Sequence, residues 1–254
     1  MATEVEKRTA FRVGVGGPVG SGKTALIEAL VPLAMKRGYS PVVITNDIYT
    51  QLDAEHVRSS LNGVLDSARV TGVETGSCPH SAVRDDPTMN IAAMEEMLEK
   101  FPDADLVFLE SGGDNLTLTF SPTLVDSYIF VLDVAQGDDI PRKKGPAITH
   151  SDLLVINKID LAPYVRADLE VMKQGAADAR PDGAPWLMTN CMTGQGLEEV
   201  LDVLEEMNAN REDNAEKRRI KLDEIPPHSH SHSHDHDHHH GHDHHHDHSH
   251  AHSH

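Results

Sequence analysis

The sequence predicts an α/β protein built on a doubly wound, mainly parallel sheet. Three observations carry this. Continuous apolar runs at Leu106–Leu109, Ile129–Leu132 and Leu153–Ile156 suit strands covered on both faces. Amphipathic stretches with helical spacing lie between and after such runs. A glycine-rich turn joins the first strand to the first helix, where doubly wound sheets hold phosphates.

In chain order, Phe11-Arg12-Val13-Gly14-Val15 reads as the first strand and Ala25–Leu30 as the opening of a helix closed by Gly38. Pro41–Thr45 is a second strand, followed by the polar loop Asn46–Thr50, and Arg69–Val73 is a short third. Asn90–Lys100 places Ile91, Met94, Met97 and Leu98 on one helix face, with Met89 grouped beside them as core. Asp105–Glu110, Tyr128–Asp133 and Leu153–Asn157 are buried strands ending in polar residues, and a last strand precedes residue 189. Gly196–Met207 is a helix with Leu197, Val200, Leu201 and Leu204 in register, which the charged stretch 208–224 prolongs until Pro226-Pro227.

Between the first strand and helix, Gly17-Pro18-Val19-Gly20-Ser21-Gly22-Lys23-Thr24 fits G-x-x-x-x-G-K-[ST]. In this phosphate-binding P-loop, backbone N–H groups converge on phosphate oxygens at a helix N-terminus. Lys23 is expected at the β- and γ-phosphates, and the Thr24 hydroxyl on Mg²⁺. Gly14, Gly16 and Gly17 also sketch a dinucleotide G-x-G-x-x-G, but Val19 stands where its third glycine belongs. Asn157-Lys158-Ile159-Asp160 fits N-K-x-D at a strand end. The Asp160 carboxylate can accept from guanine N1–H and the exocyclic amine, donors that adenine lacks there, so GTP is expected over ATP. Three carboxylates end strands nearby: Asp47, the favoured Mg²⁺-side ligand, then Glu74 and Glu110. Ser111–Asn115 is glycine-rich enough to be a loop that senses the γ-phosphate.

Two further clusters point to softer metals. Cys78-Pro79-His80 offers a thiolate and an imidazole two positions apart. Two ligands leave a four-coordinate site half filled, and a two-fold dimer would complete S₂N₂, planar for Ni²⁺ or tetrahedral for Zn²⁺. A structural cysteine beside a surface histidine is the plainer alternative. Residues 228–254 carry 16 of the 19 histidines, with triplets His238-His239-His240 and His244-His245-His246. Neutral imidazoles bind Ni, Cu, Zn and Co, and the mixed pattern is unlike a uniform purification tag. This tail has too little apolar surface to fold without metal.

The net charge of −19 argues against broad nucleic-acid or anionic-membrane contact. No signal peptide or membrane span is expected. Two cysteines, Cys78 and Cys191, make no disulfide framework, so a reducing cytoplasm is expected. Cys191 reads as a small core or loop thiol, and His56 and His150 as ordinary surface or capped histidines. The division expected is an N-terminal segment 1–10, a GTPase domain 11–210, a charged helical extension 211–227 and the His-rich tail 228–254.

The runs Gly72–His80, Thr45–Thr50, Glu110–Leu116, Ile140–Pro146 and Asn157–Tyr164 resemble the urease accessory GTPases of the UreG family, over about residues 10–205. The resemblance implies a P-loop GTPase of the SIMIBI class that helps deliver nickel to urease. It implies as partners the accessory proteins UreD (also called UreH), UreF and UreE, together with apo-urease. It also implies nickel on Cys78 and His80 of two protomers joined by GTP, and Asp47 and Glu74 near Mg²⁺ and the moving loops. The chain departs from that pattern at Cys191-Met192, where the family usually has Leu-Lys, and in its C-terminal His tract. A hydrogenase-type nickel-insertion GTPase and a nickel-storage protein are the alternatives.

Overall fold

A computed structural model describes residues 10–47, 52–75, 79–180 and 183–211. In chain order the elements are β1 (Phe11–Gly16), α1 (Lys23–Lys36), β2 (Pro41–Asp47), α2 (Leu52–Ser60), β3 (Val70–Glu74), α3 (Pro79–Val83), α4 (Thr88–Lys100), β4 (Leu106–Glu110) and β5 (Ser127–Asp133). They continue with α5 (Pro146–His150), β6 (Leu153–Asn157), α6 (Ala162–Val165), α7 (Leu169–Ala179), β7 (Trp186–Met188) and α8 (Leu197–Ala209). The sheet has seven strands in the order β3-β2-β4-β1-β5-β6-β7, every ladder parallel. The doubly wound expectation holds, and the sheet is wholly rather than mainly parallel.

Alternation along β1 divides two cores. Phe11, Val13 and Val15 face α1, α2 and α8 through Leu26, Ile27, Leu30, Ala54, Val57, Leu201 and Leu204. The opposite face packs α4 and α7 through Met94, Met97, Met172 and Ala176. β4, β5 and β6 are buried along their whole lengths, which is why they read as unbroken apolar runs. Met89 departs from expectation: it is 55% exposed near the start of α4, whereas Met94 and Met97 are buried.

The link from β4 to β5 has no α-helix. Residues 111–126 instead run as a strap over the second face of β1. Gly16 and Gly14 leave a furrow that Leu118 and Phe120 fill; an added Cβ would lie 2.5 Å from Leu118 Cδ2 and 2.9 Å from Phe120 Cδ1. Arg12, next on that face, donates to the Thr123 carbonyl at 2.9 Å and pairs with Asp126 at 2.6 Å. The glycines of the supposed dinucleotide fingerprint therefore serve close packing. At the other end of the sheet, the Arg180 guanidinium is buried and donates to the carbonyls of Ile148, Ser151, Asp152 and Ala184. It ties α7 to the segments that lead into β6 and β7.

Candidate functional site

The site forms where β1, β2, β4, β5 and β6 end. After β1 the chain turns through Gly17–Gly22 into α1, and Gly22 caps the helix with φ 98°, a left-handed conformation suited to glycine. An added Cβ there would stand 2.4 Å from Asn157 Nδ2, so glycine also lets the N-K-x-D segment approach. Ser21 N–H donates to the Pro18 carbonyl at 3.1 Å, and Lys23 Nζ lies 3.3 Å from the same oxygen.

Glu110 sits at the centre. In register it lies beside Val15 of β1 and Thr45 of β2, and it is 3% exposed. Its Oε1 accepts from Thr24 Oγ1 at 2.7 Å, and its backbone carbonyl accepts from Asn46 Nδ2 at 2.8 Å. Its Oε2 is buried with no hydrogen-bond partner among the described residues, as is Ser21 Oγ. Burial pushes the Glu110 carboxyl up to about 7, against the opposing pull of the Thr24 hydrogen bond and Lys23; Asp53 and Glu28 push it further up.

The N-K-x-D segment is bonded directly to this cradle. Asn157 Nδ2 donates to the Ser21 carbonyl at 3.2 Å, while its Oδ1 accepts from Thr189 Oγ1 at 3.1 Å and Cys191 Sγ at 3.3 Å. Lys158, with φ 60°, donates to the Gly20 carbonyl and stands 3.3 Å from Asp133 Oδ2. Asp160 is exposed beyond it. Burial pushes the Cys191 thiol up to about 11, the Asn157 hydrogen bond acting against it.

Thus Gly17, Pro18, Val19, Gly20, Ser21, Gly22, Lys23 and Thr24 converge with Glu110, Asn157 and Lys158, residues far apart in the chain. Asp47 ends β2 opposite the exposed Glu74 in the β2–β3 register. The Asp47 side chain lies outside the described residues. So do Cys78, the side chain of His80, and His238, His239, His240, His244, His245 and His246. His80 belongs to the first turn of α3. Among the described residues no group of three or more His, Cys, Asp or Glu forms a metal cluster.

Sequence reasoning missed three participants. Asn46 fixes the end of β4 through the Glu110 carbonyl, and Thr189 orients Asn157. Asp133, buried at the end of β5, holds Lys158 and accepts from Ala135 N–H at 2.7 Å. It is a carboxylate at a strand end like Glu110, so the same signal was available for it.

Residues 11–186 match the family model for the CobW/HypB/UreG nucleotide-binding domain. The chain belongs to the CobW/HypB/UreG family. Within that family it is 65% identical over 195 residues to urease accessory protein UreG 2 of Streptomyces griseus, covering 77% of this chain and 86% of the relative. It is 58% identical over 199 residues to urease accessory protein UreG of Yersinia enterocolitica, covering 78% and 90%. Among solved structures, the hydrogenase maturation factor HypB of Archaeoglobus fulgidus superposes with a TM-score of 0.60 at 30% identity, covering 80% of this chain and 92% of that one. The fold is thus a SIMIBI P-loop NTPase, and nucleotide hydrolysis is the chemistry of its family. Among the described residues no helix is long and apolar enough to cross a membrane.

Proposed function

We propose that this chain is a GTP-hydrolysing nickel carrier that serves assembly of the urease active site. One coincidence supports the reading: 65% identity to a urease accessory protein runs through a site where N-K-x-D is bonded to the phosphate loop. The backbone N–H groups of Gly17–Thr24 and the Lys23 ammonium would cradle the phosphates. Asn157 and Lys158 hold the base-reading segment against that cradle, leaving the Asp160 carboxylate to accept from guanine. Thr24, Asp47, Glu74 and Glu110 offer the hard oxygens that would hold Mg²⁺. The buried Glu110 Oε2, without a hydrogen-bond partner among the described residues, fits such a role. Bound there, Mg²⁺ would neutralise charge on the transferred phosphoryl group.

The cargo would be Ni²⁺, held by Cys78 and His80 of two protomers in an S₂N₂ site that closes when GTP is bound; Zn²⁺ fits the same donors. Ser111–Asn115 and the loop after Asp47 would relax on hydrolysis and open it. Because no glutamine stands beside Gly112-Gly113 to orient water, intrinsic turnover is slow and rises with UreD/UreH, UreF, UreE and apo-urease as partners. The histidine tail is a nickel reserve, and the setting is the reducing cytoplasm.

Two measurements test the halves separately. Asp160→Asn should weaken GTP binding, and unchanged affinity would remove the guanine reading. Cys78→Ala should abolish GTP-dependent nickel dimerisation, and its survival would sink the carrier reading. The structural match to HypB at 30% identity supports one alternative, nickel insertion into hydrogenase. Deleting the gene should abolish urease maturation and leave hydrogenase intact; the reverse pattern would favour that alternative.

A further inference from the structure

Cys78-Pro79-His80 precedes or opens α3, a helix of five residues whose Val83 is buried in the core. Two hydrogen bonds from outside the helix hold its last turn. Asn90, on α4, is fully buried and donates from Nδ2 to the Ala82 carbonyl at 2.8 Å. Ser121, in the strap, donates its backbone N–H to the Val83 carbonyl at 2.8 Å.

The other end of that strap is held by the nucleotide pocket. Ser111 N–H donates to the Val15 carbonyl at 3.0 Å and Asp114 N–H to the Gly17 carbonyl at 3.1 Å. Gly113 lies so close to the phosphate loop that an added Cβ would stand 2.0 Å from Val19 Cγ2. Between the two ends, Leu118 and Phe120 fill the furrow over Gly16 and Gly14. The Tyr128 hydroxyl donates to the Leu118 carbonyl at 3.3 Å. Packed side chains of this kind shift between discrete arrangements rather than deforming gradually.

We propose that the strap 111–121 transmits the state of the phosphate loop to α3, and that Asn90 is a positioning residue that locks α3 to α4 so the motion reaches the Cys-Pro-His pair. Asn90 is a costly choice for mere filling. A buried amide needs its hydrogen bonds, and its Oδ1 has no partner among the described residues, a penalty that an apolar side chain would not carry on its own atoms, although it would deprive the Ala82 carbonyl of this donor. What asparagine adds is the bond to Ala82. This proposal rests on the nickel-carrier reading.

The test uses the full chain, wild type and Asn90→Leu, with Cys78→Ala as control. Nickel is titrated with and without Mg²⁺ and a non-hydrolysable GTP analogue. The readout is thiolate-to-nickel charge-transfer absorbance, to which the cysteine-free tail cannot contribute. Fluorescent-nucleotide affinity and thermal midpoint are measured alongside. In wild type the analogue should strengthen thiolate–nickel binding. In Asn90→Leu that enhancement should fall about fivefold or more while nucleotide affinity stays within about twofold. Full enhancement in Asn90→Leu overturns the proposal. A wild-type signal indifferent to nucleotide, or one that persists in Cys78→Ala, overturns the carrier reading itself. Hydrogen exchange on wild type decides independently of whether the variant folds. The analogue should change protection of peptides spanning 111–121 and 79–90 together, and a change confined to 111–115 refutes transmission.

Discussion

Replacing Glu110 by Gln isolates the buried carboxylate at the centre of the described site. The carboxyl moves from 4.5 to about 7, chiefly because folding removes it from water. Below the unfolded value it is protonated in both states and burial costs little. Between 4.5 and about 7 the unfolded chain has released the proton while the folded chain retains it, so stability falls as pH rises. Above about 7 the loss is complete and the curve levels off. At about 1.4 kcal/mol per unit, the displacement amounts to roughly 3 kcal/mol. Gln keeps an oxygen that can accept from Thr24 and removes the titration. Urea unfolding of both proteins, free of nucleotide and Mg²⁺ and measured from pH 4 to 8, gives the difference directly. The histidines titrate alike in both and cancel. The wild type should lose about 3 kcal/mol relative to Glu110→Gln across the window, and a difference below about 1 kcal/mol would refute desolvation as the dominant cause.

Three other perturbations probe separate parts of the molecule. Arg180→Met strips donors from the carbonyls of Ile148, Ser151, Asp152 and Ala184 and should cost about 3 kcal/mol or more in urea unfolding, with nucleotide affinity retained by the folded fraction. Cys191, its thiol pushed from 9.0 up to about 11, should alkylate at pH 8 roughly 100-fold more slowly in the native chain than in urea, as read by mass spectrometry of its peptide. Gly16→Val drives a side chain into Leu118 and should destabilise by at least about 2 kcal/mol, seen as a lowered thermal midpoint.

The P-loop and N-K-x-D were legible because their work is done by local backbone shape and by a few side chains at fixed spacing. β4, β5 and β6 were legible because strands buried on both faces must be apolar throughout. α2 escaped notice because polar residues dominate it: among its described side chains, Ala54 and Val57 are the buried ones. α7 escaped because its buried face is largely small residues, Gly175, Ala176 and Ala179, around Met172. The strap was invisible for a different reason. Its contacts with Gly14 and Gly16 join residues about a hundred positions apart, and no local period marks them.

For the phosphate loop, the sequence by itself determined the pattern and the chemistry it offers: glycines that permit close approach, the Lys23 ammonium, the Thr24 hydroxyl, and the Asp160 carboxylate of the N-K-x-D segment. Only the tertiary structure decided that Glu110 is buried against Thr24, that Asn157 is bonded to Ser21, and that the β4–β5 connection packs on β1 and reaches α3. Motifs record what a residue can bind. Burial and hydrogen bonding between distant segments decide which residues meet and how readily a carboxyl there gives up its proton.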